Sequence, residues 1–382
     1  MWIYKKESKA QVFKNTFQKS GPFLLLLSRL IIGLVFVFSG FVKAIDPLGS
    51  TYKIEDYFTA FGGFFTSLSF IALPASIALS TLELVIGLNL LFQIQLRRTS
   101  WAALLFMLVM TPLTFYIALF NPVTDCGCFG DALVMTNWQT FAKNVVFLTL
   151  VVFIMMNIGK KKSLLLPRIE WLVVTVFVMI GVGLSFYSLK HMAPFDFRPY
   201  KVGVNIPESM FVPENAPADV YNTTFIYEKG GVQKEFTLEN YPKGDSTWKF
   251  VDQKTVLVSK GYKAPIHDFS IVDANFNDIT EQIIYNTGET YLLIMYDVNK
   301  ASEEGARRAE ELYQKYKNTN TKFYALTASG DDDVRKFVAK TGITYPFCKT
   351  DPITLKTIIR SNPGLMQIKN GVITGKWHWR DF

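Results

Sequence analysis

Cys126 and Cys128 stand one glycine apart in Thr124-Asp125-Cys126-Gly127-Cys128-Phe129-Gly130-Asp131, and they are two of three cysteines in a chain of 382 residues. Two thiols at that spacing can close a small, strained ring. Strain raises a disulfide's reduction potential, so such a pair would serve as an oxidant of other thiols. The competing reading is a tight glycine-rich turn whose small cysteines pack without any redox cycle. The third cysteine, in Tyr345-Pro346-Phe347-Cys348, reads as a small buried hydrophobe. Three cysteines are too few for a stapled scaffold and no Cys/His set has zinc-site spacing, so no structural metal is expected.

The elements that must position the pair are apolar. Five runs are each near the ~20 residues a helix needs to cross a bilayer: Pro22 to Val42, Leu68 to Phe92, Ser100 to Phe120, Thr140 to Asn157 and Ile169 to Leu189. Inside lipid each segment must satisfy its own backbone, which makes helices the expectation. Pro74 and Pro112 are expected to kink theirs. The formal net charge of +8 resembles a nucleic-acid signal until the cations are located. Lys5, Lys6, Lys9, Lys14 and Lys19 precede the first run, Arg97 and Arg98 follow the second, and Lys160, Lys161, Lys162 and Arg168 follow the fourth. The cysteine loop, Asn121 to Gln139, has no Lys or Arg. The positive-inside bias therefore predicts a multi-pass protein with a cytoplasmic N-terminus, and with the cysteine loop and C-terminal half outside the cytoplasm. Nucleic acid is not an expected partner; a lipid bilayer is.

Arg29 and Glu83 are charges inside the first two runs, at depths of about 10 Å and about 13 Å from the cytoplasmic side at ~1.5 Å per residue. An unpaired charge at such depth is costly, so an Arg29–Glu83 ion pair is expected, as a register pin or as part of a proton or quinone site. Lys43, at the cysteine-loop end of the first run, is the candidate to lower a thiol's pKa.

Arg29-Leu30, Ser39-Gly40, Lys43, Asp46-Pro47, Leu82-Glu83-Leu84 and Cys126-Gly127-Cys128-Phe129-Gly130 with Trp138 and Asn144, in that order, resemble the DoxX-like superfamily and more closely its MauE (methylamine utilisation) branch. The resemblance covers 22–157. It implies a four-helix membrane bundle that assists disulfide formation in a periplasmic protein, with Cys126 and Cys128 as the redox pair. The bacterial inner membrane is the implied location.

The rest of the chain divides into a basic N-terminus (1–21), a fifth transmembrane helix (169–189), a β-rich segment (201–262) and an α/β domain (263–382). In the β-rich segment Thr223 to Tyr227 and Val232 to Phe236 flank Glu228-Lys229-Gly230-Gly231 as a hairpin, extended by Trp248 to Val251 and Thr255 to Val258. Beyond it, strand Tyr291 to Tyr296, helix Ser302 to Tyr316, strand Lys322 to Leu326 and helix Asp331 to Lys340, capped by Asp331 or Asp332, predict a sheet with covering helices. Ser361-Asn362-Pro363-Gly364, leading to a hairpin at Asn370-Gly371, resembles the cis-proline region of thioredoxin-like domains, with Pro363 as the cis candidate; Ala264 to Ser270 resembles their entry strand. The segment where that fold carries Cys-x-x-Cys is Asp297-Val298-Asn299-Lys300-Ala301-Ser302, which has no cysteine. His267 and His378 are expected to have structural, hydrogen-bonded roles.

Two functions follow as expectations. In one, Cys126 and Cys128 act as a thiol-disulfide oxidoreductase site that exchanges electrons with an extracytoplasmic protein thiol and passes them on, with a membrane quinone as the cofactor class that reading admits. In the other, the bundle anchors a degenerate thioredoxin-like domain that binds envelope partners without turnover.

Overall fold

The computed structural model describes residues 9–158, 165–259 and 261–382. Lys5, Lys6, Lys160, Lys161 and Lys162 lie outside the described residues.

Helix α1 (Lys9–Ile45) runs past the predicted start at Pro22, which sits inside it. Asp46 then caps α2 (Pro47–Phe61), accepting a bond from Gly49 N at 2.9 Å, with Pro47 in the first turn where its missing N–H is harmless. A 3-10 stretch (Gly63–Ile71) leads into α3 (Ala72–Phe92), and then come α4 (Leu96–Phe120), α5 (Asn137–Asn157) and α6 (Pro167–Lys190). Pro74 falls in the first turn of α3 rather than in a helix interior, so of the two expected kink positions Pro112, inside α4, is the one that removes an internal bond. Among the described residues five helical segments are long and apolar enough to cross a membrane, the second including the 3-10 stretch. The short helix α2 was not expected from the apolar runs, because it is amphipathic and lies between two of them.

α1 packs antiparallel on α3 at glycines. A Cβ on Gly40 would collide with the backbone of Leu84 and Ser80, and one on Gly87 with Val37 N and Gly33 O. Small residues let the helix backbones touch, and the contact fixes one register. α4 packs on α5, where Asn144 Nδ2 donates to Thr114 Oγ1 at 3.1 Å, and α6 lies along α3. The bundle core includes Ile32, Phe36, Ile86, Leu90, Met107 and Ile154.

After α6 the linker leads to a one-turn helix α7 (Ile206–Met210) and an antiparallel sheet of β1 (Val220–Lys229), β2 (Val232–Thr237) and β3 (Lys249–Ser259) in the order β2-β1-β3. The β1/β2 turn is Gly230-Gly231, both at positive φ, a backbone that glycine adopts without cost. The two strands expected within 248–258 are one strand, β3.

The last domain is a five-stranded mixed sheet, order β6-β5-β4-β7-β8. After α8 (Thr280–Ile284) it comprises β4 (Glu289–Ile294), α9 (Glu303–Tyr316), β5 (Lys322–Thr327), α10 (Asp331–Thr341), β6 (Phe347–Lys349), α11 (Pro352–Ile358), β7 (Gly364–Lys369) and β8 (Val372–His378). β4, β5 and β6 are parallel, and β7 and β8 antiparallel. Leu292 and Ile294 of β4 enter one core and Tyr291 and Leu293 the other, as expected of a strand covered on both faces. Gly330, not Asp331 or Asp332, is the cap position of α10, and the acids occupy its first turn. Residues 264–270 form no strand; among the described residues the nearest pairing is an isolated bridge at Val272. The Asn362–Pro363 peptide bond is cis and immediately precedes β7.

Candidate functional site

The loop from α4 to α5 is held at both ends. Asn137 Nδ2 donates to Asn121 Oδ1 (3.1 Å) and Val123 O (3.0 Å), and Thr136 and Gln139 form a reciprocal cap on α5. Between them Gly127 and Gly130 take positive φ, and Gly130 N donates to Gly127 O at 3.1 Å. Cys126 and Cys128 are half-buried and joined as a disulfide.

Each part of the loop is tied to a different helix. From α2, Tyr57 donates to Cys126 O at 2.8 Å and Lys53 pairs with Asp125 at 2.8 Å, while Asp125 Oδ1 accepts from Gly127 N at 2.9 Å. From α1, Ser39 Oγ lies 2.7 Å from Cys128 O and 2.6 Å from Glu83 Oε2 on α3. From α5, Thr140 Oγ1 lies 3.6 Å from Cys126 Sγ.

Beneath Cys128 is a cavity of about 30 Å³ lined by Ser39, Lys43, Glu83, Lys143 and Asn144, with Phe106, Met107 and Met110 of α4. That volume is on the order of one water. Lys43 Nζ contacts both carboxylate oxygens of Glu83, at 2.7 and 2.9 Å. The expected Arg29–Glu83 pair is therefore replaced by Lys43–Glu83. Arg29 instead donates through Nε to Leu90 O at 2.9 Å. The cause is the glycine-set register of α1 on α3, which puts Glu83 beside Ser39 and Lys43 and leaves Arg29 several turns away, opposite Leu90. Lys43 reaches the cavity next to Cys128, but Glu83 offsets its charge. Lys143 was missed, although it carries the same signal as Arg29 and Glu83, a charge inside an apolar run.

The soluble domain sits on this end of the bundle. Arg360, before the cis bond, gives Nη2 to Asp46 Oδ2 at 2.8 Å and to Asp131 Oδ2 at 3.1 Å, and so bridges the cap of α2 to the cysteine loop. Arg360 and Lys356 also lie over the Tyr52 ring, at 5.5 and 4.6 Å, and the Tyr52 and Tyr296 hydroxyls are hydrogen-bonded. Burial alone would raise the Asp46 carboxyl, but Arg360 beside it, with Arg198 and the Gly49 N–H, holds it at about 2. Asp131 goes the other way, pushed up by burial against the pull of Arg360. Between the domains lies a cavity of about 330 Å³ lined by residues such as Asp46, Tyr52, Gly127, Asp131, Arg198 and Arg360. Asn362 Nδ2 donates to Asp297 O at 2.7 Å, so the cysteine-free segment and the cis bond share this edge.

The remaining candidates lie elsewhere. Cys348 is buried in β6, and burial pushes its thiol up to about 11. His267 Nδ1 is 3.2 Å from Ala264 O. His378 accepts from Arg380 N at 3.2 Å and is held near 4, mainly by burial. Among the described residues no cluster of three or more His, Cys, Asp or Glu could hold a metal.

Residues 221–260 match a family model described as a domain of unknown function (DUF8463). No curated protein matches the chain. Residues 21–157 match the family model described as methylamine utilisation protein MauE. The membrane part, which carries Cys126, Cys128, Ser39, Lys43, Glu83 and Lys143, is thus similar to the MauE family.

Proposed function

We propose that this protein supports disulfide formation outside the cytoplasm through Cys126 and Cys128. A client thiolate attacks the disulfide, and the client leaves oxidised while the pair takes up two electrons. The observation that carries the reading is a half-buried disulfide pinned to three helices above a polar cluster in a bundle similar to MauE. A disulfide that persists suits an oxidising compartment, here the bacterial periplasm. On this reading the electron acceptor is a membrane quinone or a second disulfide that meets the reduced pair.

In this reading the C-terminal domain is thioredoxin-like. Three parallel and two antiparallel strands, with a cis X-Pro bond at the head of β7 next to the Asp297–Ser302 segment, support that assignment. Because the edge bearing the cis bond is occupied by α2 and the cysteine loop, the domain acts as a lid on the disulfide rather than as a separate client receptor.

Cys128→Ser, leaving the Cys126 thiol, should accumulate mixed disulfides with envelope proteins on non-reducing gels of acid-quenched cells. A variant that remains folded and traps none would overturn the reading. The alternative is a non-catalytic anchor, favoured by the absence of cysteine from Asp297–Ser302. That anchor would keep its cellular function in a folded Cys126→Ser, Cys128→Ser double variant, whereas a redox site would lose it.

A further inference from the structure

We propose that Lys143 is the cation that stabilises Cys128 as a thiolate when the disulfide opens, which makes Cys126 the sulfur that is attacked. The inference rests on the redox reading above and adds the direction of the exchange.

The charges around the small cavity decide it. α1 brings Lys43, α3 brings Glu83, α5 brings Lys143, and the α4 residues of the lining are uncharged. Lys43 and Glu83 cancel at 2.7 Å. Lys143 makes no ion pair among the described residues; its Nζ instead stands 4.3 Å from the centre of the Phe129 ring, next in sequence to Cys128. One positive charge therefore remains uncompensated at a cavity lined by Cys128, while Cys126 is not in the lining. A cation near a thiol favours its thiolate, and more strongly where water is scarce. Lys143 lies six residues into α5, roughly 9 Å along the helix, within the length over which a lysine stem reaches back toward the polar face.

A client thiolate attacks Cys126 Sγ, a bond forms between the two sulfurs, and the Cys126–Cys128 bond breaks with its electron pair leaving on Cys128 Sγ, at the cavity that Lys143 also lines. A second client thiolate then attacks the client sulfur of the mixed disulfide and releases Cys126 as thiolate. The client has lost two electrons, the pair has gained them, and no other oxidant enters this half-reaction.

The test uses the full chain in lipid nanodiscs, carrying Cys126→Ser and Cys348→Ala, so that Cys128 is the single thiol. The rate of alkylation by iodoacetamide is followed against pH, and folding is checked by thermal melt. The midpoint should lie at least about one unit below the ~8.5 of an ordinary thiol. Lys143→Met should raise it by about one unit, a tenfold loss of thiolate at neutral pH, and Lys143→Arg should restore it. Folded Lys143→Met and Lys143→Gln variants with an unmoved midpoint would overturn the proposal, as would a shift that follows Lys43→Met instead. Because the thiol is read with a reagent, the result does not depend on whether the pair cycles in cells.

Discussion

Arg360 and Asp46, 314 residues apart in sequence, form a two-pronged ion pair, with Nε to Oδ1 at 2.9 Å and Nη2 to Oδ2 at 2.8 Å. The same guanidinium reaches Asp131, three residues beyond Cys128. The planar fork matches a carboxylate in two places at once, which a lysine could not do. A single side chain thus couples the C-terminal domain to the cysteine loop and to the cap of α2.

Removing that fork should open the lid. Breaking one partner of a largely buried pair costs about 3–5 kcal/mol. Arg360→Met should therefore raise the rate at which a phosphine reduces Cys126–Cys128 by at least about tenfold, the equivalent of about 1.4 kcal/mol in the docking equilibrium. An unchanged rate in a folded variant would show that the soluble domain does not shield the pair.

The same pair sets an acid dependence. Asp46 is held at about 2 against an ordinary 3.8, so it binds its proton less readily when folded than when unfolded. Its stabilisation is complete above about pH 4 and is lost as pH falls through 2. Thermal melts from pH 6 to 2 should show the wild type losing its advantage over Asp46→Asn at the acid end, and parallel curves would contradict the assignment.

Within the bundle, Glu83→Gln leaves Lys43 buried without its counter-charge. A loss of about 3–5 kcal/mol is expected in detergent melts. Replacing both partners, as Lys43→Met with Glu83→Leu, should cost less than Glu83→Gln alone, because the buried pair then leaves no orphan charge. Equal losses in the two variants would mean that the pair is not coupled.

The sequence revealed the membrane helices and the sheet well, because long apolar runs and the covered strand β4 are written in local pattern. It pointed to the cysteine loop through two residues of a rare type. What it could not supply was register. Residue counts along the first two apolar runs put Arg29 opposite Glu83, whereas Gly33, Gly40 and Gly87 slide α1 along α3 until Glu83 meets Ser39 and Lys43. It was equally silent on Arg360, whose partners are set only when the two halves of the chain meet. α2 has no such signal in the sequence, because a short amphipathic helix carries no long apolar run.

The proposed function requires Cys126 and Cys128 to cycle between disulfide and dithiol. The most direct measurement is an alkylation-shift assay on membranes quenched in acid, before and after addition of a reduced dithiol peptide. The pair should start oxidised and be converted to two modifiable thiols as the peptide gains its disulfide in equal amount. A pair that stays unchanged, while the peptide remains reduced, would contradict it.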